Sequence, residues 1–191
     1  MTNPSFSLSF TSGGLYTREA VRYAQRLVAG LSHAQIKTEI FEQNIFQVTR
    51  PSSIKRMYSE LSKRMTMFSE AEYTLLAEGT DAEQRALLWV AACRQYPFIA
   101  AFARATRDRY AAYLRDMPVG EYHYLYEQLA AHHHNLTTIT EATRTKLRTV
   151  TYKMAVDAGI LTATKEIRGF SLPPHVRDVL SHDDDVLYFP G

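Results

Sequence analysis

Residues 30–68, GLSHAQIKTEIFEQNIFQVTRPSSIKRMYSELSKRMTMF, predict two helices and a corner. Ser32 can cap the first helix, and Gln35 follows three residues on, the spacing that satisfies two orphan backbone donors reciprocally. Ile36, Ile40 and Phe41 then share an apolar face. Pro51 suits a first helical turn, where its missing N–H costs nothing. Beyond it, Ile54, Met57, Tyr58, Leu61, Met65 and Phe68 recur at steps of three and four, an amphipathic stripe. The opposite face carries Ser52, Ser53, Lys55, Arg56, Ser59 and Lys63. Arg, Lys and Ser on exposed first turns are donors suited to phosphate, and the pair of helices has the frame of a helix-turn-helix. A solvated basic face on an ordinary core helix has the same pattern. The connection, residues 44–50, is longer than the usual short turn.

At 191 residues the chain is one large domain or two small ones, long enough to bury a core. A hydrophobic content of 46% and a charged content of 22% suit a soluble globular protein. The net charge of +2 is small, so an anionic partner has to be met by local patches. Cys93 is the only cysteine, which excludes an internal disulfide and suits a reducing, cytoplasmic setting. No basic-then-apolar leader opens the chain, so no signal peptide is expected. The most apolar stretch, residues 86–105, is broken by Arg94, Gln95 and Arg104 and is too short and charged to span a bilayer.

Phe6, Leu8 and Phe10 alternate with serines, which predicts a short strand or extended arm ending in a Ser12-Gly13-Gly14 turn. Those glycines lack the longer spacing of nucleotide-binding loops. Thr17 is expected to cap a helix through Ala29, with Ala20, Tyr23, Ala24, Leu27 and Val28 inward and Gly30 closing it in the left-handed conformation. Ser69 opens a short helix to Glu78. Thr80 with Glu83 forms a second capping box before a helix through Leu87, Leu88, Val90, Ala91 and Tyr96. Pro97 breaks that helix. The next runs over residues 98–114, with Phe98, Phe102, Ala105, Arg109 and Tyr113 near one face, and residues 117–120 form a loop. This middle third reads as scaffold.

A helix over residues 121–134 carries Tyr122, Tyr124 and Tyr126, then His132, His133 and His134. Aromatics among basic residues can stack on single-stranded nucleic acid, but helical spacing puts Tyr122 and Tyr126 on one face and favours packing. Consecutive histidines point in different directions on a helix, so no metal is expected there. Thr138 with Glu141 predicts a capping box for a helix whose buried stripe is Leu147, Val150, Met154 and Ala158, terminated by Gly159. Arg144, Lys146, Arg148 and Lys153 lie on its other faces. Ile160-Leu161 and Ile167 are expected to pair as a small hairpin, giving the element order of a winged helix. Pro173-Pro174 starts a short helix to Leu180, and Asp183-Asp184-Asp185 reads as a solvated run.

The expected fold is mainly α: a compact multi-helix protein with helix-turn-helix-like elements and a small C-terminal β-hairpin. Its regions are 1–68, helix-turn-helix-like; 69–134, scaffold; and 135–191, winged-helix-like, together one unit.

The order of Ser12-Gly13-Gly14, Glu19, Gly30-Leu31-Ser32, Glu42-Gln43-Asn44, Lys55-Arg56, Lys63-Arg64-Met65 and Asp157-Ala158-Gly159-Ile160-Leu161 resembles the small A protein family of BREX phage-exclusion systems. The likeness runs from about Phe6 to Tyr188-Phe189. Such proteins are helical, lack a known catalytic centre, and belong to defence operons that also encode a methyltransferase and large ATPases. The resemblance implies DNA binding in host defence. Members have sometimes been labelled membrane proteins, which this sequence contradicts.

Two functions stay open. In the first, Arg50, Ser52, Ser53, Lys55, Arg56 and Lys63 meet double-stranded DNA, with Arg144, Lys146 and Arg148 as a second contact. In the second, the helices dock another protein of the defence complex or bind RNA. Basic residues on one continuous surface favour the first, and an exposed apolar patch favours the second. No nucleophile elbow, phosphate loop, metal-ligand spacing or paired carboxylates point to an enzyme, and no cofactor is expected.

Overall fold

Orphan backbone donors at helix starts shape the first half of the chain. The computed structural model describes residues 8, 10 and 13–191, so the expected Phe6 strand and Ser12 lie outside the described residues. The first helices are α1 (Thr17–Val28), α2 (His33–Glu42), α3 (Pro51–Met65), α4 (Glu70–Glu78) and α5 (Asp81–Gln95). Capping boxes at Ser32/Gln35, Ser69/Glu72 and Thr80/Glu83 start α2, α4 and α5. Pro51 stands in the first turn of α3. Gly30, at φ 87°, turns the chain out of α1, with Leu31 N–H donating to the Arg26 carbonyl. Thr17 does not cap α1: the N-cap is Tyr16, held left-handed at φ 58°. Val28 is exposed rather than inward, as is Phe41, whose ring meets Tyr58 edge-on.

The chain continues through α6 (Pro97–Ala111), α7 (Val119–Ala130), α8 (His134–Thr137), α9 (Glu141–Asp157), α10 (Pro174–Val179) and a C-terminal 3₁₀ helix, Asp183–Tyr188. α6 stops short of Leu114, because Leu114 N–H bonds back to the Arg109 carbonyl and Tyr113 takes the left-handed position at φ 61°. The expected single helix over 121–134 divides between α7 and α8. α9 is capped by Thr140, whose hydroxyl accepts from Thr143 N–H, rather than by Thr138. Gly159, at φ 80°, closes it as expected.

The C-terminal hairpin expected from Ile160, Leu161 and Ile167 is not formed: no strand occurs among the described residues. Isolated antiparallel bridges join Leu161 to Ile167 and Asp116 to Glu166. Ile167 N–H donates to Arg115 O and Met117 N–H to Lys165 O, both at 2.9 Å. The 165–167 segment thus shares its backbone groups between two neighbours, and neither pairing extends into a ladder. The winged-helix reading loses its wing.

α5 is the centre. Residues 86–93 are all buried, including Trp89, as in a helix apolar on every side. It packs against α1, α3, α4, α6, α9, α10 and the 3₁₀ helix. At its last turn Arg94 donates to Glu72 Oε1 at 2.6 Å, to Asp185 Oδ2 at 2.5 Å and to the Met67 carbonyl at 2.7 Å. Burial alone would push the Glu72 carboxyl up; bonds from the Arg94 guanidinium and Ser69 N–H outweigh it and hold the group below its ordinary value.

Arg94→Met leaves Glu72 and Asp185 buried and unpaired, so it should cost about 3–5 kcal/mol in urea unfolding at neutral pH. Because the folded pKa of Glu72 is depressed, its contribution is present above the unfolded value of 4.5 and is lost as pH falls through the folded value. Unfolding curves should therefore show wild-type stability dropping below about pH 4.5, and that part of the drop should shrink in Arg94→Met.

Candidate nucleic-acid interface

The connection between α2 and α3 is an ordered loop, longer than the three or four residues of a helix-turn-helix corner. Asn44 organises it at φ 50°: its side chain accepts from Val48 N–H at 3.0 Å and donates to the Val48 carbonyl at 3.1 Å. Arg22 of α1 fixes the other side, donating to Ile45 O at 2.7 Å and to Gln47 Oε1 at 3.0 Å. Phe46 is buried beneath. The loop aims the start of α3, where Arg50, Ser52, Lys55 and Arg56 are exposed and Ser53 and Lys63 half-buried. No side chain caps this helix and no acidic residue occupies its first turn. Pro51 has no N–H and Ser53 N–H donates to the Arg50 carbonyl at 2.9 Å, so Ser52 N–H and the positive dipole end are what stand beside arginine and lysine, an arrangement suited to an anion.

The second group of residues is differently placed. Lys146 is exposed, but Arg144 and Arg148 lean on α7. The Arg144 guanidinium lies 4.8 Å from the Tyr126 ring centroid and 3.4 Å from Glu127 Oε1. Arg148 Nη1 lies 3.0 Å from His123 Nε2. Glu141 adds an acidic charge to the first turn of α9, and Thr140 occupies its cap. These arginines already hold two helices together, so α9 offers phosphates less than α3 does. Tyr122 and Tyr126 are buried, as the packing reading has it, whereas Tyr124 is exposed.

Sequence reasoning missed the joint between these two helices. Arg64 of α3 is fully buried and donates to the Gly14 carbonyl at 3.0 Å and the Leu15 carbonyl at 3.4 Å. Its Nε and Nη2 have no hydrogen-bond partner among the described residues. Charge and ring faces meet them instead: Glu60 Oε2 lies 3.8 Å from Nη2, and the Tyr16 and Tyr96 ring centroids lie 5.9 and 5.8 Å away. Behind the same loop, Asp157 of α9 accepts from Leu15 N–H at 3.2 Å and pairs with Lys153 at 2.9 Å. A Cβ on Gly14 would overlap the Asp157 carboxylate, so glycine is what lets α9 approach. A signal was present: Glu60 and Arg64 stand one turn apart on the same face as Met57 and Leu61.

No group of three or more His, Cys, Asp or Glu that could hold a metal occurs among the described residues. Cys93 is buried, and burial pushes its thiol well above the ordinary range, which keeps it protonated and poorly nucleophilic. None of the described helices is long and apolar enough to cross a membrane.

The family model described as BrxA matches residues 4–184. BREX protein BrxA of Escherichia coli O9:H4 (strain HS) is 23% identical over 171 residues, 88% of this chain and 80% of that protein. BREX protein BrxA of Paramagnetospirillum magneticum is 21% identical over 169 residues, 88% of this chain and 85% of its own. In fold, the chain is similar to the crystal structure of an uncharacterized protein from Magnetospirillum magneticum, with a TM-score of 0.84 at 18% identity, covering 97% and 96% of the two chains. The chain belongs to the BrxA family.

Gly14→Ala and Asp157→Ala should each destabilise the protein by about 1–3 kcal/mol, the first by overpacking and the second by leaving the Leu15 N–H unmet. Since both act on one contact, the double variant should cost less than the sum in urea unfolding. Strict additivity would show that the loop and α9 are not coupled.

Proposed function

We propose that this member of the BrxA family is a non-catalytic accessory protein of a BREX phage-defence system that contacts duplex DNA through its phosphates. One observation carries the reading: the uncapped, acid-free start of α3 presents Arg50, Ser52, Lys55 and Arg56 to solvent, aimed by a loop that Asn44 and Arg22 hold in place. Lysine, arginine and serine suit phosphate oxygens, and the asparagine nearest them, Asn44, spends its amide on the loop rather than on a base edge. α3 is the main contact and α9 a minor one, because Arg144 and Arg148 are engaged by Tyr126, Glu127 and His123. Other proteins of the same system are the natural companions of such a binder.

Titrating labelled duplexes at increasing salt tests the reading. The binding constant should fall by about 0.9 log unit per log unit of salt for each phosphate neutralised, a slope of about −3 for the three cations at the α3 start. Reversing Lys55 and Arg56 to Glu should weaken every duplex alike by at least about tenfold and flatten the slope by about 2, with little change in melting temperature. Arg144→Ala with Arg148→Ala should cost less. No duplex binding at low salt, or binding indifferent to the Lys55/Arg56 reversal, would remove DNA from this surface and leave it to a protein partner.

A further inference from the structure

The middle of the chain holds a second basic surface, on elements that take no part in the α3 corner. A cleft of about 870 Å³ opens between α6 and the C-terminal segment, with Arg107 and Arg177 at its edge and Phe170 and Phe189 in its floor. Those two rings stack at 4.8 Å between centroids. A smaller lobe of about 270 Å³ shares Arg107 and Tyr110 with it and adds Tyr113 and Arg115. No acidic side chain lines either lobe among the described residues. Two carboxylates lie close by: that of Gly191, a residue lining both lobes, and Asp108, which pairs with Arg107 at 3.2 Å.

The aromatic arrangement is specific. The Arg115 guanidinium lies 4.1 Å from the Tyr110 ring centroid and 5.7 Å from that of Tyr113. Stacking on a ring leaves the edge of a guanidinium free to donate. Tyr113 is 82% exposed and is held at φ 61°, a conformation costly for a bulky residue. That conformation ends α6, where Leu114 N–H bonds back to the Arg109 carbonyl, and it leaves the ring in solvent. Gly169 lets the Tyr110 hydroxyl approach closely, because a Cβ there would overlap it.

We propose that this cleft binds a phosphorylated nucleoside, its base stacked on Tyr113 and its phosphate held by Arg107, Arg115 and Arg177. The volume is that of a small-ligand site. Planar guanidinium forks match phosphate, and an exposed tyrosine gives any base a stacking face. The nucleoside phosphate comes either as a free nucleotide or as the unpaired end of a strand. Duplex DNA has its bases stacked inside and cannot use Tyr113 in this way, so the site is distinct from the α3 surface.

Fluorescence anisotropy of mant-labelled dATP with the full chain tests the proposal, with unlabelled dATP, 5′-phosphorylated oligo(dT), adenosine and inorganic phosphate as competitors. Saturable binding is expected, displaced by dATP or by the oligonucleotide; whichever displaces better identifies the source. Tyr113→Ala should weaken it about tenfold. Arg115→Gln should do so at least as much, with melting temperature as the check on folding. Gly169→Ala, which displaces Tyr110, should weaken it too. The Lys55/Arg56 reversal should leave this binding unchanged, so failure here and failure of the duplex reading stay distinguishable. Absent saturable binding, equal binding by folded Tyr113→Ala and Arg115→Gln, or displacement by inorganic phosphate as effective as by dATP would each overturn it.

Discussion

Arg94 takes a full positive charge out of water at the end of the central helix, and three separate parts of the chain are placed to meet it. Glu72 comes from α4, Asp185 from the C-terminal 3₁₀ helix, and the Met67 carbonyl from the turn between α3 and α4. Ser181 N–H also donates to Glu72, at 3.3 Å. A buried ion pair adds little net stability by itself, but any arrangement that separates its members leaves a charge stranded in the core. The cluster therefore fixes where the last residues lie. Trp89 reinforces it, its indole N–H reaching the Tyr188 carbonyl at 2.9 Å. The wall of the C-terminal cleft is held by these contacts.

A second buried guanidinium does for the helices what Arg94 does for the chain's end. Arg64 ties the C-terminal end of α3 to the Gly14–Leu15 loop, and Asp157 ties that loop to the end of α9. Both helices thus run outward from one joint. Lys55 stands nine residues before Arg64, about 14 Å along α3. Arg144 stands thirteen before Asp157, about 20 Å along α9. Their basic first halves are set at fixed distances along each helix from that joint, and of the two only α3 leaves its first turn uncapped.

Much of the helical frame was legible because its causes are local. A capping box needs two residues three apart, a proline at a first turn needs only itself, and a glycine after a helix answers a left-handed φ; these hold at Ser32, Thr80, Pro51, Gly30 and Gly159, and the box expected at Thr138 gives way to a Thr140 cap. Errors arose where a partner outside the segment decided. Ile160, Leu161 and Ile167 have the composition of a hairpin, yet Ile160 and Leu161 N–H turn back to the Ala155 carbonyl of α9, and Ile167 N–H goes to Arg115 O. Tyr113 fits the stripe of α6 by spacing, but a 6→1 bond from Leu114 ends the helix first.

The basic residues of the candidate interface were readable as types and spacing, and the order of short motifs along the chain carried the family resemblance that the match over residues 4–184 bears out. Their roles were not readable. Lys55 and Arg56 face water, Arg64 is sealed in the core, and Arg144 pairs with Glu127 of α7, although all four belong to similar-looking basic runs. The sequence by itself determined most of the helical segments and where most of them start and stop, and it marked residues 86–105 as the most apolar stretch. Only the tertiary structure decided which cations are free to meet an anion, because desolvation and pairing depend on carboxylates, carbonyls and rings distant in sequence.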